Sequence, residues 1–539
     1  MREHHRSTRV IGSLLLVVAA GMSSMAAVPG GERRPPGDPV PLGQVVPVPM
    51  KVTAAGPGFE ITPETYIRVG GHPEERRVAE YLAGLLRPST GYPLPVTDRG
   101  GPGGIRLRIS SDAHSKALGG EGYRLASTRG SLTITSWTAA GLRHGVQTLR
   151  QQLPAAVERT TRQRGPWRVA GGVIEDRPRF AYRGAMLDVS RHFLTVEQVR
   201  RFIDQLALYK MNTLHLHLSD DQGWRIAIDS WPRLAEYGGS TQVGGGPGGH
   251  YTKEQYTGLV DYAYSRGITV IPEIDMPSHT NAALASYAEL NCDGVAPPLY
   301  TGTEVGFSSL CVKKDVTYDF VADVVRELAA LTPGPYLHIG GDEAHSTSDD
   351  DFHAFMERVQ PIVTEHGKTV VGWHQLAVDA KPVPGAVVQY WGYDRTGQAE
   401  REKVVDAARD GAKVILSPAD RSYLDHKYHK DTPLGLSWAG YVEVERAYDW
   451  DPGAYLQGLA EEAVLGVEAP LWTETLSTNE QLDFMAFPRL PGIAELGWSP
   501  ASTHDWEAYK ERLVRQAPRW DALGITYYRS PQVPWPTAR

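Results

Sequence analysis

The sequence predicts an α/β protein whose larger part is a (β/α)8 barrel of the TIM type, preceded by a small α+β domain. Three observations predict it. Eight short apolar runs alternate with helical segments from about residue 177 onward, polar and aromatic residues follow nearly every run directly, and residues 50–176 carry a different pattern of short alternating strands. With 539 residues, 41% of them apolar, the chain exceeds one ordinary domain and has material for a large core.

In chain order, residues 1–28 read as an export signal. Arg2, Arg6 and Arg9 precede an apolar run from Val10 to Ala20, and the small residues Ser23, Ser24, Ala26 and Ala27 follow. That run is shorter than the roughly 20 residues of a spanning helix, so a secreted protein with no membrane partner is expected. Residues 29–49, rich in Pro and Gly without apolar period, read as a flexible linker. In the 50–176 domain, Ile105–Ile109 and Ser131–Ser136 alternate as strands, while Glu74–Leu86 and Ala139–Leu153 have helical spacing. No acid pair or metal spacing marks this domain as catalytic, and it is read as a scaffold.

The barrel, 177–539, takes its strands from Ala185–Val189, Thr213–Leu218, Ile268–Ile274, Tyr336–Ile339, Thr369–Trp373, Ala386–Trp391, Ala412–Leu416 and Val464–Ala469. A barrel of this kind carries its active site at the C-terminal ends of the strands. There the sequence gathers Ser190-Arg191-His192, Asp220-Asp221-Gln222-Gly223-Trp224, Asp275-Met276-Pro277-Ser278-His279 and Gly340-Gly341-Asp342-Glu343-Ala344-His345. Trp373, Trp391, Tyr423, Asp425, Trp472 and Glu474 end the later units. A helix cap or surface charge explains any one of these clusters; it does not explain their recurrence. Cys292 and Cys311, in an oxidising compartment, read as one disulfide clipping a loop.

The net charge of −8 comes from interspersed acids and bases, which argues against a nucleic-acid partner. Thirteen Trp and 25 Tyr beside 10 Phe favour a carbohydrate, since these aromatics stack on sugar rings and tolerate water. Sugar hydrolysis ordinarily uses two carboxyl groups flanking one bond about 5 Å apart or more. Asp342 and Glu343 are adjacent, and neighbouring side chains at a strand end diverge. Another division of labour follows if the substrate carries a 2-acetamido group: its carbonyl oxygen attacks the anomeric carbon, one acid serves as acid/base, and the other steers the acetamido N–H.

The segments Arg183-Gly184-Ala185-Met186-Leu187-Asp188-Val189-Ser190-Arg191-His192-Phe193, His215-Leu216-His217-Leu218-Ser219-Asp220-Asp221-Gln222-Gly223-Trp224 and His338-Ile339-Gly340-Gly341-Asp342-Glu343 resemble family-20 β-N-acetylhexosaminidases, the secreted bacterial members above all. The likeness runs from about residue 50 to the C-terminus, and this family is a known exception to the two-carboxylate scheme. It implies an exo-acting, retaining enzyme that frees terminal N-acetylglucosamine or N-acetylgalactosamine from chitobiose, chitooligosaccharides or glycan termini, without cofactor or metal. By the same likeness Glu343 is the acid/base, Asp342 and Tyr423 orient the acetamido group, and Trp373, Trp391 and Trp472 wall its pocket. Arg191, Asp425 and Glu474 hold hydroxyls, and Trp438 is a platform for the next sugar. Asp220, Asp275 and His279 support the acid; read from the residues alone, Asp275 and His279 could equally be a cap and a surface imidazole, and Asp221 a helix cap. Ser278 departs from the Gly common in the family and is expected to alter only a turn.

Three rivals remain in view. His215 and His217 alternate toward one face of a strand, as metal ligands of an amidohydrolase would, but lie inside the strand without a third ligand at a later strand end. A noncatalytic chitin-binding module and a conventional two-carboxylate glycosidase are the others.

Overall fold

The structure, a computed structural model, describes residues 38–101 and 103–536; the predicted export signal and the first part of the predicted linker lie outside the described residues. The C-terminal part of the supposed linker is not a free tether. Leu42, Val45 and Val46 are buried, the Val46 peptide exchanges two hydrogen bonds with the Gln151 amide, and Val48 N–H donates to Glu495. Three apolar side chains among the prolines sufficed to anchor it.

Residues 51–176 form a seven-stranded sheet in which strands 104–109 and 131–136 pair in parallel, with helices Pro73–Thr90 and Ala139–Gln152 burying their apolar stripes in its core. From Tyr182 onward eight parallel strands close into a barrel: β1 (Tyr182–Asp188), β2 (Thr213–His217), β3 (Thr269–Glu273), β4 (Tyr336–His338), β5 (Thr369–Trp373), β6 (Val387–Tyr390), β7 (Lys413–Leu416) and β8 (Val464–Leu471). β8 pairs with β1, Tyr182 opposite Gly466, where a Cβ would lie 1.8 Å from the Tyr182 carbonyl oxygen. The fold is the predicted one.

The sheet is joined to the barrel near the N-terminal ends of β1 and β2, away from the mouth. Asp176, fully buried, accepts from Tyr123 Oη (2.7 Å), Lys210 Nζ (3.0 Å) and Trp498 Nε1 (3.0 Å), and Arg183 pairs with Glu121 at 2.5 Å. Inside the barrel, Tyr182, Ile271, Val371, Val387 and Ile415 form an apolar plug. Two residues further along their strands come Glu273 and Gln389, which with His215 and Glu468 make a buried polar layer. Above it Met186, Trp373, Tyr423 and Trp472 form the floor of the mouth. Among the described residues no helix is long and apolar enough to cross a membrane. Cys292 and Cys311 are joined as a disulfide.

Candidate active site

The mouth of the barrel holds a cavity of about 440 Å3 lined by Arg191, Thr303, Val305, Asp342, Glu343, Trp391, Tyr393, Tyr423, Asp425, Leu436, Trp438, Trp472 and Glu474. A larger groove of about 1040 Å3 lies elsewhere, between helix Pro73–Thr90 and helix Lys253–Arg266, remote from the strand ends.

The acid pair is set by glycine. After β4, Gly340 and Gly341 take φ of 65° and 100°, and Glu343 itself has φ 50°. A Cβ at Gly340 would lie 1.7 Å from Asp275 Oδ1, so only glycine lets this turn press against β3's end and donate the Gly341 N–H to that carboxyl at 3.0 Å. Non-glycine residues with positive φ are uncommon and gather at functional sites; His279, at φ 55°, is a second one here. Its Nε2 stands 3.2 Å from Glu343 Oε2 and 3.8 Å from Asp342 Oδ2, while its Nδ1 faces Asp220 Oδ1 at 3.2 Å. His279 is therefore not a surface imidazole, and Asp275 accepts the turn's Gly341 N–H rather than capping a helix. Asp221 is not the N-cap residue of a helix; its Oδ1 accepts, from far along the chain, the backbone N–H of Asn281, first residue of helix Asn281–Ser286 whose N-cap is Thr280, and the Ser308 hydroxyl.

Ser278 does more than alter a turn. Its buried hydroxyl donates to the Asp342 carbonyl oxygen at 2.5 Å, pinning the backbone that carries the acid pair. The sequence marked it only as a departure, because a hydroxyl's partner sixty-odd residues away leaves no local signal.

Arg191 lies between Asp220 (2.9 Å) and Asp188 (3.5 Å) with its guanidinium 4.7 Å from the Trp472 ring centroid. Trp391 and Trp438 cross nearly perpendicular, 5.9 Å apart, and Trp438 remains 44% exposed at the rim. Trp373 does not line the open cavity. It packs 5.9 Å behind Trp472 and spends its indole N–H on Glu273. Asp220, Asp275 and His279 likewise stand behind the lining. Thr303, Val305, Tyr393 and Leu436 line the cavity without having been singled out; Thr303 and Val305 belong to the long loop closed by the disulfide, which has no period to read.

Both oxygens of Asp425 are buried with no side-chain hydrogen-bond donor, and Asp342 has the Asp275 carboxyl as its hydrogen-bond neighbour. Buried acceptors ordinarily have donors, so a ligand rich in N–H and O–H groups fits this wall. Burial raises the Asp425 carboxyl well above its usual range, and the neighbouring Glu474 adds to this. Burial likewise raises Asp342, against the pull of His279, and the adjacent Glu343 pushes the same way. Deeper, Asp275 is raised well above the carboxylate range by burial and by the neighbouring Asp342. For Glu343 burial also pushes upward, but the His279 hydrogen bond and charge, with Arg191 and His345, outweigh it and hold the carboxyl below its usual value. Burial and Asp342 keep Tyr423 a neutral donor.

Around His215 and His217 the buried acids stand close: His215, Glu273 and His338, and His217, Glu273 and Asp275, offer ligand atoms within 4.8 Å of one another. His215 Nδ1 meets Glu468 at 2.9 Å with its Nε2 at ion-pair distance from Glu273, 3.0 Å, and His217 meets Glu273 at 2.5 Å and Asp220 at 2.6 Å, so both nitrogens of His217 are hydrogen-bonded within the protein.

Compared with known proteins, residues 180–501 match the model of the glycosyl hydrolase family 20 catalytic domain and residues 43–177 that of its domain 2. A β-N-acetylhexosaminidase of Cellulomonas fimi is 42% identical over 91% of this chain and 97% of its own. The structure of a GH20 β-N-acetylhexosaminidase from Streptomyces coelicolor superposes with a TM-score of 0.91 at 70% identity, covering 93% of this chain and 100% of that one. A mutant Streptomyces plicatus β-hexosaminidase in complex with its product GlcNAc matches at 0.91 and 69%, over 93% and 99%.

Proposed function

This chain belongs to glycosyl hydrolase family 20, and from that premise we propose that it is an exo-acting β-N-acetylhexosaminidase working by substrate assistance. The observation that carries the reading is the arrangement of Asp342 and Glu343: adjacent on one glycine-framed turn, both facing His279, with Glu343 the more exposed of the two.

A terminal N-acetylhexosamine enters with its ring against Trp472 and its hydroxyls toward Arg191, Asp425 and Glu474. Asp342, ionised, accepts from the acetamido N–H and Tyr423 donates to the acetamido carbonyl oxygen, so that this oxygen is held below the anomeric carbon. Glu343 gives its proton to the glycosidic oxygen as that bond breaks and the carbonyl oxygen bonds to the anomeric carbon, leaving an oxazolinium ion. Asp342 balances the charge developing on nitrogen. Water then gives a proton to the Glu343 carboxylate and adds to the anomeric carbon, restoring the acetamido group and the original configuration. Trp438, crossing Trp391 at the rim, is suited to the next sugar along; Trp373 supports the acetamido wall from behind Trp472. Chitobiose, chitooligosaccharides and glycan termini are the substrates of this chemistry.

The same reading takes residues 1–28 as an export signal cleaved from a secreted enzyme and 50–176 and 177–539 as its two domains, which accords with the disulfide. Two measurements test the function. Glu343→Gln should lower kcat on a poor-leaving-group N-acetylglucosaminide by about 10²–10⁴-fold with binding retained; unchanged turnover removes the acid assignment. The thiazoline analogue of N-acetylglucosamine should bind at least ~10²-fold tighter than the free sugar. Equal affinity would replace substrate assistance with a protein nucleophile.

A further inference from the structure

Behind Glu343 an unbroken chain of buried charged groups runs down the barrel axis. Glu343 faces His279 (3.2 Å), His279 faces Asp220 (3.2 Å), Asp220 faces His217 (2.6 Å), His217 faces Glu273 (2.5 Å), Glu273 faces His215 (3.0 Å) and His215 faces Glu468 (2.9 Å). Glu468 ends the chain on Tyr182 and Gln389. Every member from His279 inward is at most 2% exposed. The mechanism above uses Glu343, and the family likeness makes His279 and Asp220 its supports; His217 and Glu273 are left without a task.

The geometry favours a charged His217. Each ring nitrogen stands within hydrogen-bond distance of a carboxylate oxygen, and only the imidazolium can donate from both. Asp220 thus receives donors on both oxygens: His217 and Arg191 on Oδ2, the Asp221 N–H and His279 on Oδ1. How firmly Asp220 holds the His279 proton depends on how much of its charge His217 has already taken.

Resting on the acid/base reading of Glu343, we propose that His217 is a positioning residue for proton transfer: an imidazolium clamped between Asp220 and Glu273 that, through Asp220 and His279, sets where Glu343 titrates. Burial alone would push His217 toward neutrality, but Glu273 and Asp220 overcome it and hold the ring protonated well above its usual range. The charged groups facing it are these two, Arg191 with Nη1 3.5 Å from its Nε2, and Asp275 beyond Glu273; the edge of Trp472 closes the remaining side. Glu273, lowered well below its usual value by His217, His338 and His215 despite burial, supplies the matching anion. The pair therefore adds no net charge while both members are intact.

Removing one member exposes the other. In His217→Gln a cation near Glu343 is lost, its acid form is favoured, and the basic limb of the kcat profile should move up by about one pH unit. In Glu273→Gln an anion is lost and the limb should move down by a similar amount. The double variant restores the balance and should return the limb to within ~0.3 unit of wild type, a coupling that two independent packing defects would not produce. KM should stay within about threefold throughout, because neither side chain reaches the cavity. A limb that stays put while kcat falls in both single variants overturns the proposal and makes the pair purely structural. Neutron diffraction from wild-type crystals needs no variant to fold: deuterium on both ring nitrogens of His217 is expected, and deuterium on one overturns the proposal. Glu343→Gln reports on the acid itself, so a dead Glu343→Gln beside an unmoved His217→Gln limb defeats this proposal and spares the function.

Discussion

Glu343 must carry a proton when the glycosidic bond breaks, yet His279 and Arg191 hold its carboxyl below the usual range in the open site. About 29% of its side chain is exposed, and a sugar filling the pocket removes that water. Desolvation favours the neutral acid, so the basic limb of kcat, which reports the occupied site, should lie above that of kcat/KM by about one unit or more. Coincident limbs would mean that the pocket does not tune its acid on binding. Ser278 supplies a second test. Without the hydroxyl that holds the Asp342 carbonyl, Ser278→Ala should lose about five- to tenfold in kcat, by loosening the carboxylate that orients the acetamido group, with thermal stability lowered by only ~1 kcal/mol. No change in kcat would return Ser278 to the turn role expected of it from sequence. Asp342, Glu343, Arg191, Asp425 and Glu474 were legible because acids and a cation at strand ends have few structural reasons to recur. Ser278, Thr303, Val305 and Leu436 were not, because their membership depends on where a loop returns in space.

Each barrel strand was legible to within a few residues, since a strand buried on both faces reads as an apolar run and the crossover helices keep period 3.6. The turn after β4 was legible in composition but not in purpose: Gly340-Gly341 marks a tight turn, and only the structure reveals Asp275 pressed against it. Gly340→Ala places a methyl group where Asp275 Oδ1 now lies and asks alanine to hold φ 65°. The turn must shift, taking Asp342 and Glu343 with it, and kcat should fall by about 10²-fold or more while the far end of the barrel is untouched. Near-normal kcat would show that the acid pair tolerates displacement. The segment between Cys292 and Cys311, 19 residues apart, makes the opposite case. It holds little regular structure, and its order rests on the disulfide and on isolated bonds such as Gln222 Nε2 to Gly302 O at 2.9 Å and Asn281 Nδ2 to Pro298 O at 3.0 Å. Replacing both cysteines with serine should cost about 3 kcal/mol in urea unfolding. Because Thr303 and Val305 line the cavity, KM should rise as well. A loss below ~1 kcal/mol with KM unchanged would mean that the hydrogen bonds alone secure the loop.

Across the whole molecule, the charges that serve the acid also set the pH range in which the fold is stable. Two signs oppose each other. Glu273 and Glu468 are fully buried, and their pKa values, raised by burial but lowered more by the histidines, end below the unfolded value of 4.5. Their contribution is present above that value and fades as the medium is acidified through their folded pKa. His215 behaves in the reverse sense: burial lowers it, but Glu468 and Glu273 raise it from 6.5 to about 9. Its stabilisation is complete below about 6.5 and is lost as pH climbs to about 9, on the order of 3 kcal/mol for a shift of that size. His217, raised still further, extends the decline upward. Asp275 and Asp425, raised well above their unfolded value of 3.8, add a decline that begins at lower pH, so the histidines should steepen the fall of stability, measured by urea unfolding, between about pH 6.5 and 9, with loss of the buried layer that supports the barrel floor. His215→Gln should lower the stability maximum and flatten that alkaline slope together, since the variant has no proton there to lose. A wild-type curve that stays level to pH 9 would mean that the barrel interior is held by packing alone and that its imidazoles are neutral, which would also remove the charge on which His217 acts.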